Sequence, residues 1–99
     1  IGQCLNEFAE RAVDEQTVEQ IQKIIASEKR IRQWHELRTR SAGREIFVDL
    51  HILVDPALNI IEAHAIAESL EHTLQQQLPR PVNVMVHIEP DIPQERGAS

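Results

Sequence analysis

His51, His87 and Glu89 stand where alternation along a strand would turn all of them to one side of a sheet. His51 lies in "REIFVDLHILVD", and the other two lie in "VNVMVHIEP". His51 is the sixth residue of an alternating apolar run that starts at Ile46, and His87 is the sixth of one that starts at Val82. If the two runs are parallel neighbours, the imidazoles are level, and a period of two sets Glu89 beside His87. Two neutral imidazoles and a carboxylate suit a borderline divalent cation such as zinc, and equally cobalt, nickel, iron or manganese. The simpler alternative is that these residues are only the polar outward positions of amphipathic strands. Phe47, Leu53 and Met85 on the same face weigh against it, because an apolar patch around candidate ligands marks a covered surface.

Such ligands need rigid elements to hold them. Leu5, Phe8 and Ala12, then Val18, Ile21 and Ile25, recur at helical spacing over residues 5–28, with Asp14 as a candidate cap. The period changes at "IRQWHELRTR", and "SAG" followed by "REIFVDLHILVD" reads as a hairpin into a strand whose buried face is Ile46, Val48, Leu50, Ile52 and Val54. "DPALN" ends that strand. Asn59 and Glu62 then form a capping box for a helix over 60–78, with an apolar stripe of Ile60, Ala63, Ala67, Leu70 and Leu74. The last strand, over 82–88, turns Val82, Val84, Val86 and Ile88 inward.

The order is therefore α-β-β-α-β, and the helix between the last two strands demands that they pair in parallel. The expected fold is an α+β ferredoxin-like sandwich, a three-stranded mixed sheet with two helices on one face. Residues 1–13 are expected to be a helical lead-in, 14–90 the folded domain and 91–99 a flexible tail.

The other histidines are less constrained. A three-residue "SAG" loop would pair Arg40 with Arg44 and set His35 opposite Asp49, on the ligand face; a two-residue Ala42-Gly43 turn would set it on the helix side. Leu37 favours the second register. His64 falls near the start of the second helix with Glu68 four residues on, so it would reach the ligand face only around an edge or from another subunit. His72, between Glu68 and Glu71, reads as solvated.

Composition narrows the function. With 99 residues the chain is one domain, and a net charge of −6 argues against a nucleic-acid binder that works by phosphate neutralisation. The lone Cys4 allows neither an internal disulfide nor a thiolate zinc site. No apolar run is long enough to span a membrane, and a start at Ile1 without Met points to a piece of a longer protein. The basic residues Lys29, Arg30, Arg32, Arg38, Arg40 and Arg44 could face phosphate or lipid headgroups, but a charged strand edge that resists aggregation explains them more simply. No glycine-rich phosphate loop or GxSxG is present, so nothing points to an enzyme.

"HELRTRSAG", "VDLHILVDPALNIIEAHAIAESLEHTL" and "VNVMVHIEP" together closely resemble the cytosolic C-terminal domain of cation diffusion facilitator transporters, over about residues 16–90. The resemblance implies the same α-β-β-α-β fold, a homodimer, and divalent metal at the subunit interface. It implies His35, His51, His64, His87 and Glu89 as metal ligands, Glu89 standing where zinc-binding relatives have Asp. The family's Leu-Met-Asp motif is at best Phe8-Ala9-Glu10 here, and no role passes to Glu10.

The expected function is thus a regulatory, dimerising and metal-binding domain of a zinc or iron efflux transporter, on the cytoplasmic side of the cell membrane. Its partners would be divalent ions and the transmembrane domain of the same chain, where proton-coupled transport occurs; nucleic acid is not among them. Zinc is the expected ion, with Fe2+, Mn2+, Co2+, Ni2+ or Cd2+ as alternatives. A second reading is a ferredoxin-like regulatory domain that binds a small molecule on the same open face without metal. A third, a metal-dependent hydrolase, lacks any pocket motif.

Overall fold

A computed structural model describes residues 10–93. The elements are β1 (Glu10–Arg11), α1 (Glu15–Ser27), β2 (Gln33–Ala42), β3 (Glu45–Val54), α2 (Ile60–Gln77) and β4 (Val82–Pro90). The three long strands form the expected mixed sheet: β2 pairs antiparallel with β3, and β3 pairs parallel with β4. The two-residue β1 pairs with Ser41 and Ala42 and extends the sheet at its edge.

That short strand corrects the reading of residues 5–28 as helical. Glu10 and Arg11 are extended because the end of β2 offers them a ladder, and α1 begins only after Asp14, whose carboxylate caps it by accepting from the Thr17 amide and hydroxyl. Leu5 and Phe8 lie outside the described residues, as do Cys4 and residues 94–99. At the other end of the chain, Asp91 does not begin the tail as expected. Its amide donates to Val54 O, prolonging the contact with β3, and its carboxylate meets Arg32 at 3.7 Å.

Both helices pack on one side of the sheet. Ile21 and Ile25 from α1, Ile66, Leu70 and Leu74 from α2, and Ile46, Leu50 and Ile52 from β3 form a single core and are at most 2% exposed. On α2 the capping box is present as read, with Asn59 accepting from the Glu62 amide and Glu62 accepting from the Asn59 amide. The stripe is displaced, however: Ile60 is 86% exposed, and Ile66 takes a core position that the reading left out. Ile60 opens the first turn and borders an open groove with Val54, Ile88 and Pro90 at the end of the sheet, so its spacing from Ala63 does not bury it. Among the described residues no helix is long and apolar enough to cross a membrane.

The hairpin adopts neither anticipated register. Ala42 faces Glu45 across a Gly43-Arg44 turn, and Gly43 takes a φ of 59°, the left-handed conformation that tight hairpin turns require. Arg80, from the loop after α2, ties this turn down by donating to the carbonyls of Arg44 and Gly43 and to the Ser41 hydroxyl.

Candidate metal centre

The count along β3 and β4 predicted level imidazoles, and the two strands pair in that register: Ile46 faces Val82 and His51 faces His87. His35 joins them from β2, directly opposite His51. Three histidines therefore form one row across three strands, on the side that carries no helix. The rings of His51 and His87 stack with centroids 4.4 Å apart, and those of His35 and His51 with centroids 5.2 Å apart.

His35 reaches that row through a bulge. From Ala42–Glu45 the ladder runs unbroken to Arg38–Asp49, and continuing it would set His35 opposite Ile52, on the core side. Instead Glu36 takes a φ of 54°, and Glu36 and Leu37 together oppose Leu50 alone. Leu37 and Trp34 both pack against the core while His35 turns outward. The conflict between Leu37 and His35 is thereby removed, because the two need not share a face once an extra residue is looped out. Apolar residues three apart, Trp34 and Leu37, inside an otherwise alternating strand were the available signal.

Glu89 joins the row from β4. Its carboxylate lies 2.6 Å from His51 Nδ1 and 3.1 Å from His35 Nε2, so one side chain engages two imidazoles. The hydrogen bond to Glu89 holds His51 above its ordinary value of 6.5, outweighing desolvation. The same bond, helped by that to His35, holds Glu89 below its ordinary 4.5. His87 Nε2 lies 3.1 Å from Asp49 Oδ1, a carboxylate on the open face that the sequence reading did not count as a ligand. Glu36, also missed, sets Oε2 3.3 Å from His35 Nδ1, a close approach without the alignment of a hydrogen bond. His35, Glu36 and His51 each present a ligand atom within 4.8 Å of the others.

His64 is not part of this group within the chain. It stands on α2, which packs against the opposite side of the sheet, and its ring lies 3.5 Å from Glu68 with both side chains about two-thirds exposed. Of the apolar residues noted on the open face, Met85 is exposed and Phe47 half-buried beneath the Arg40 guanidinium, while Leu53 is buried. Much of the basic cluster has partners: Arg30 pairs with Glu28, and Arg32 with Asp55 and Asp91. A shallow groove of about 150 Å³, lined in part by Leu58, Ile60, Ala63, Ile88 and Glu89, runs from the start of α2 to the end of β4.

The sequence profile of the family described as "Cation efflux protein, cytoplasmic domain" matches residues 13–91. Among named relatives, the cation-efflux pump FieF of Yersinia pestis (strain Pestoides F) is 32% identical over 98 residues, which cover 97% of this chain and 32% of the pump. FieF of Pectobacterium atrosepticum is 37% identical over 87 residues, covering 88% of this chain and 29% of that protein. The chain thus spans about a third of the length of the curated relatives it matches. Among solved structures, CzrB has a TM-score of 0.76 at 29% identity, covering 82% of this chain and all of that one. Its zinc form has a TM-score of 0.73 at 29% identity, covering 81% of this chain and 91% of that one. The metal-bound C-terminal domain of the CzcD transporter from Thermotoga maritima shares the fold, with a TM-score of 0.72 at 20% identity over 76% of this chain and 87% of that one.

Proposed function

The chain belongs to the cation efflux protein family, as its cytoplasmic domain, and from that premise we propose that it senses divalent metal and dimerises to regulate an attached transport domain. The observation that carries the reading is the level row of His35, His51 and His87 with Glu89 bonded to two of its members. Imidazole and carboxylate donors on paired strands fit a borderline dication, and the absence of thiolate among these donors suits reversible sensing. Zinc is the ion we assign first, with Fe2+, Mn2+, Co2+, Ni2+ and Cd2+ as chemically acceptable alternatives. Transport itself, coupled to protons, would belong to the membrane part of the full-length protein, at the cytoplasmic face of which this domain would lie.

A homodimer accounts for what the monomer leaves open. Ile60 and Ile61 are 86% and 80% exposed at the start of α2, and the groove beside them runs to Glu89. A second copy covering this surface would bury them, and His64 of that copy would complete the ligand set. An ion at a hundred times its dissociation constant then favours the liganded arrangement by about 2.7 kcal/mol, enough to bias an attached domain between two states.

Sedimentation with and without zinc tests this reading. Zinc at neutral pH is expected to tighten the dimer, and His64→Ala to abolish that tightening without changing the metal-free protein; a zinc-independent association in both would overturn it. The pH dependence has a definite sign. The proton on His51 must leave before a metal binds, and Glu89 holds it there above the ordinary 6.5. Zinc affinity therefore falls as pH drops through the raised His51 value, by about tenfold per unit for each proton displaced. In the metal-free domain the His51–Glu89 pair behaves oppositely. Its small stabilisation is present below 6.5 and is lost as pH rises through the raised His51 value, and it also fades in acid as pH falls through the lowered Glu89 value.

A further inference from the structure

We propose that Glu36 is an additional metal ligand of this chain, delivered by the β-bulge and making the centre a two-carboxylate site. The inference rests on the metal-binding reading above and extends it to a residue that the family pattern does not assign.

Strand pairing shows what the bulge adds. If Glu36 were absent, the ladder from Ala42–Glu45 would reach Leu37–Leu50 and then His35–His51 without interruption. His35 would still face outward, and Leu37 and Trp34 would still face the core. Glu36 is therefore the one residue of β2 that neither the sheet nor the core requires. It also takes a left-handed φ of 54°, a conformation that costs a side-chain-bearing residue free energy and that glycine would adopt more easily. What the bulge gains is a second consecutive side chain on the open face. The Glu36 carboxylate comes within 3.3 Å of His35 Nδ1, and its ligand atom lies within 4.8 Å of those of both His35 and His51.

The chemistry favours a cation. Glu36 and Glu89 flank His35 at its two ring nitrogens, Nδ1 and Nε2. An ion held at His35 Nδ1 would have Glu36 beside it and His51 within 4.8 Å, while Glu89 serves the opposite ring nitrogen, so Glu36 shifts the donors on its side from imidazole-rich toward oxygen-rich. A carboxylate added beside imidazoles raises affinity for Mn2+ and Fe2+ relative to a centre with one carboxylate. On this account Glu36 contributes to which ion is sensed as well as to how tightly it is held.

The test compares the full chain with Glu36→Gln, which keeps the shape but removes the charge, and with Glu36→Gly, which also relieves the backbone. Zinc(II), manganese(II) and cobalt(II) affinities are measured by competition titration, alongside the visible spectrum of the cobalt form. Both variants are expected to lose about tenfold or more in affinity, the scale seen when a partner of a metal centre is removed, with a larger loss for manganese than for zinc. The cobalt spectrum should change in both, and Glu36→Gly should melt higher than the parent in the absence of metal. Unchanged affinities and an unchanged cobalt spectrum in both variants would overturn the proposal, leaving Glu36 as a bulge residue only. Failure of the parent chain to bind any of the three metals would instead overturn the metal-sensing reading on which the proposal depends.

Discussion

Glu89→Gln is expected to lower zinc affinity by at least about a hundredfold, the upper end of what losing an outer partner of a metal centre costs. Glu89 touches two imidazoles of the row at once, so its charge cannot be replaced by a single neighbour. The amide keeps nearly the same volume and can still bond one ring, so the metal-free domain should lose no more than about 1 kcal/mol, as befits a partly exposed pair. Isothermal titration of zinc combined with thermal melting separates the two effects. Loss of affinity with an intact melting curve assigns Glu89 to the ion; parallel loss of both would assign it to the fold.

The opposite pattern is expected at Leu50. Its side chain is fully buried under both helices, and on the other side of the same strand Asp49 and His51 are presented to the open face. Leu50→Ala should cost about 2–5 kcal/mol, the range for a buried leucine whose cavity does not collapse. For a domain of this size that is a fall of more than about 10 °C in melting temperature. Leu50 also lies opposite the bulge, so a void there removes support from Glu36 and Leu37. Zinc added in excess should recover part of the lost melting temperature, because it binds only the folded state.

These predictions rest on parts of the structure that differed in how plainly the sequence displayed them. The β3–β4 register was legible by counting, since both strands begin at a clear break and run six residues without interruption to their histidines. The core face of β3 was legible for the same reason, because every second residue from Ile46 to Val54 is aliphatic and buried. The β2–β3 register was not. Two irregularities, a turn over Gly43-Arg44 where neither expected register put it and an extra residue at Glu36, together set the pairing that brings His35 to the ligand face. Periodicity alone locates neither: with the Gly43-Arg44 turn and no bulge His35 would face Ile52 on the core side, and the extra residue at Glu36 reverses it. The resemblance to known transporters placed His35 among the ligands where alternation had left it open.

On α2 the capping box fixed the start of the helix, but the exposure of Ile60 and Ile61 was hidden. An apolar pair in a first turn reads as core, and only the structure shows that the groove it borders at the end of the sheet is open. Alternation sets Asp49 on the face of His51, but no spacing marks it or Glu36 as a partner of a particular histidine. Asp49 approaches His87 at 3.1 Å from β3 to β4, and Glu36 approaches its neighbour His35 at 3.3 Å because the bulge turns both outward, neither of which a one-dimensional pattern encodes.

The most direct test of the central claim is the zinc retained per chain after dialysis at neutral pH, compared between this protein and a His51→Ala, His87→Ala double variant. The account predicts about one to two ions per chain in the parent, the number that a row of three imidazoles with adjoining carboxylates can serve, and none in the variant. Equal zinc in the two proteins, or none in either, would contradict it.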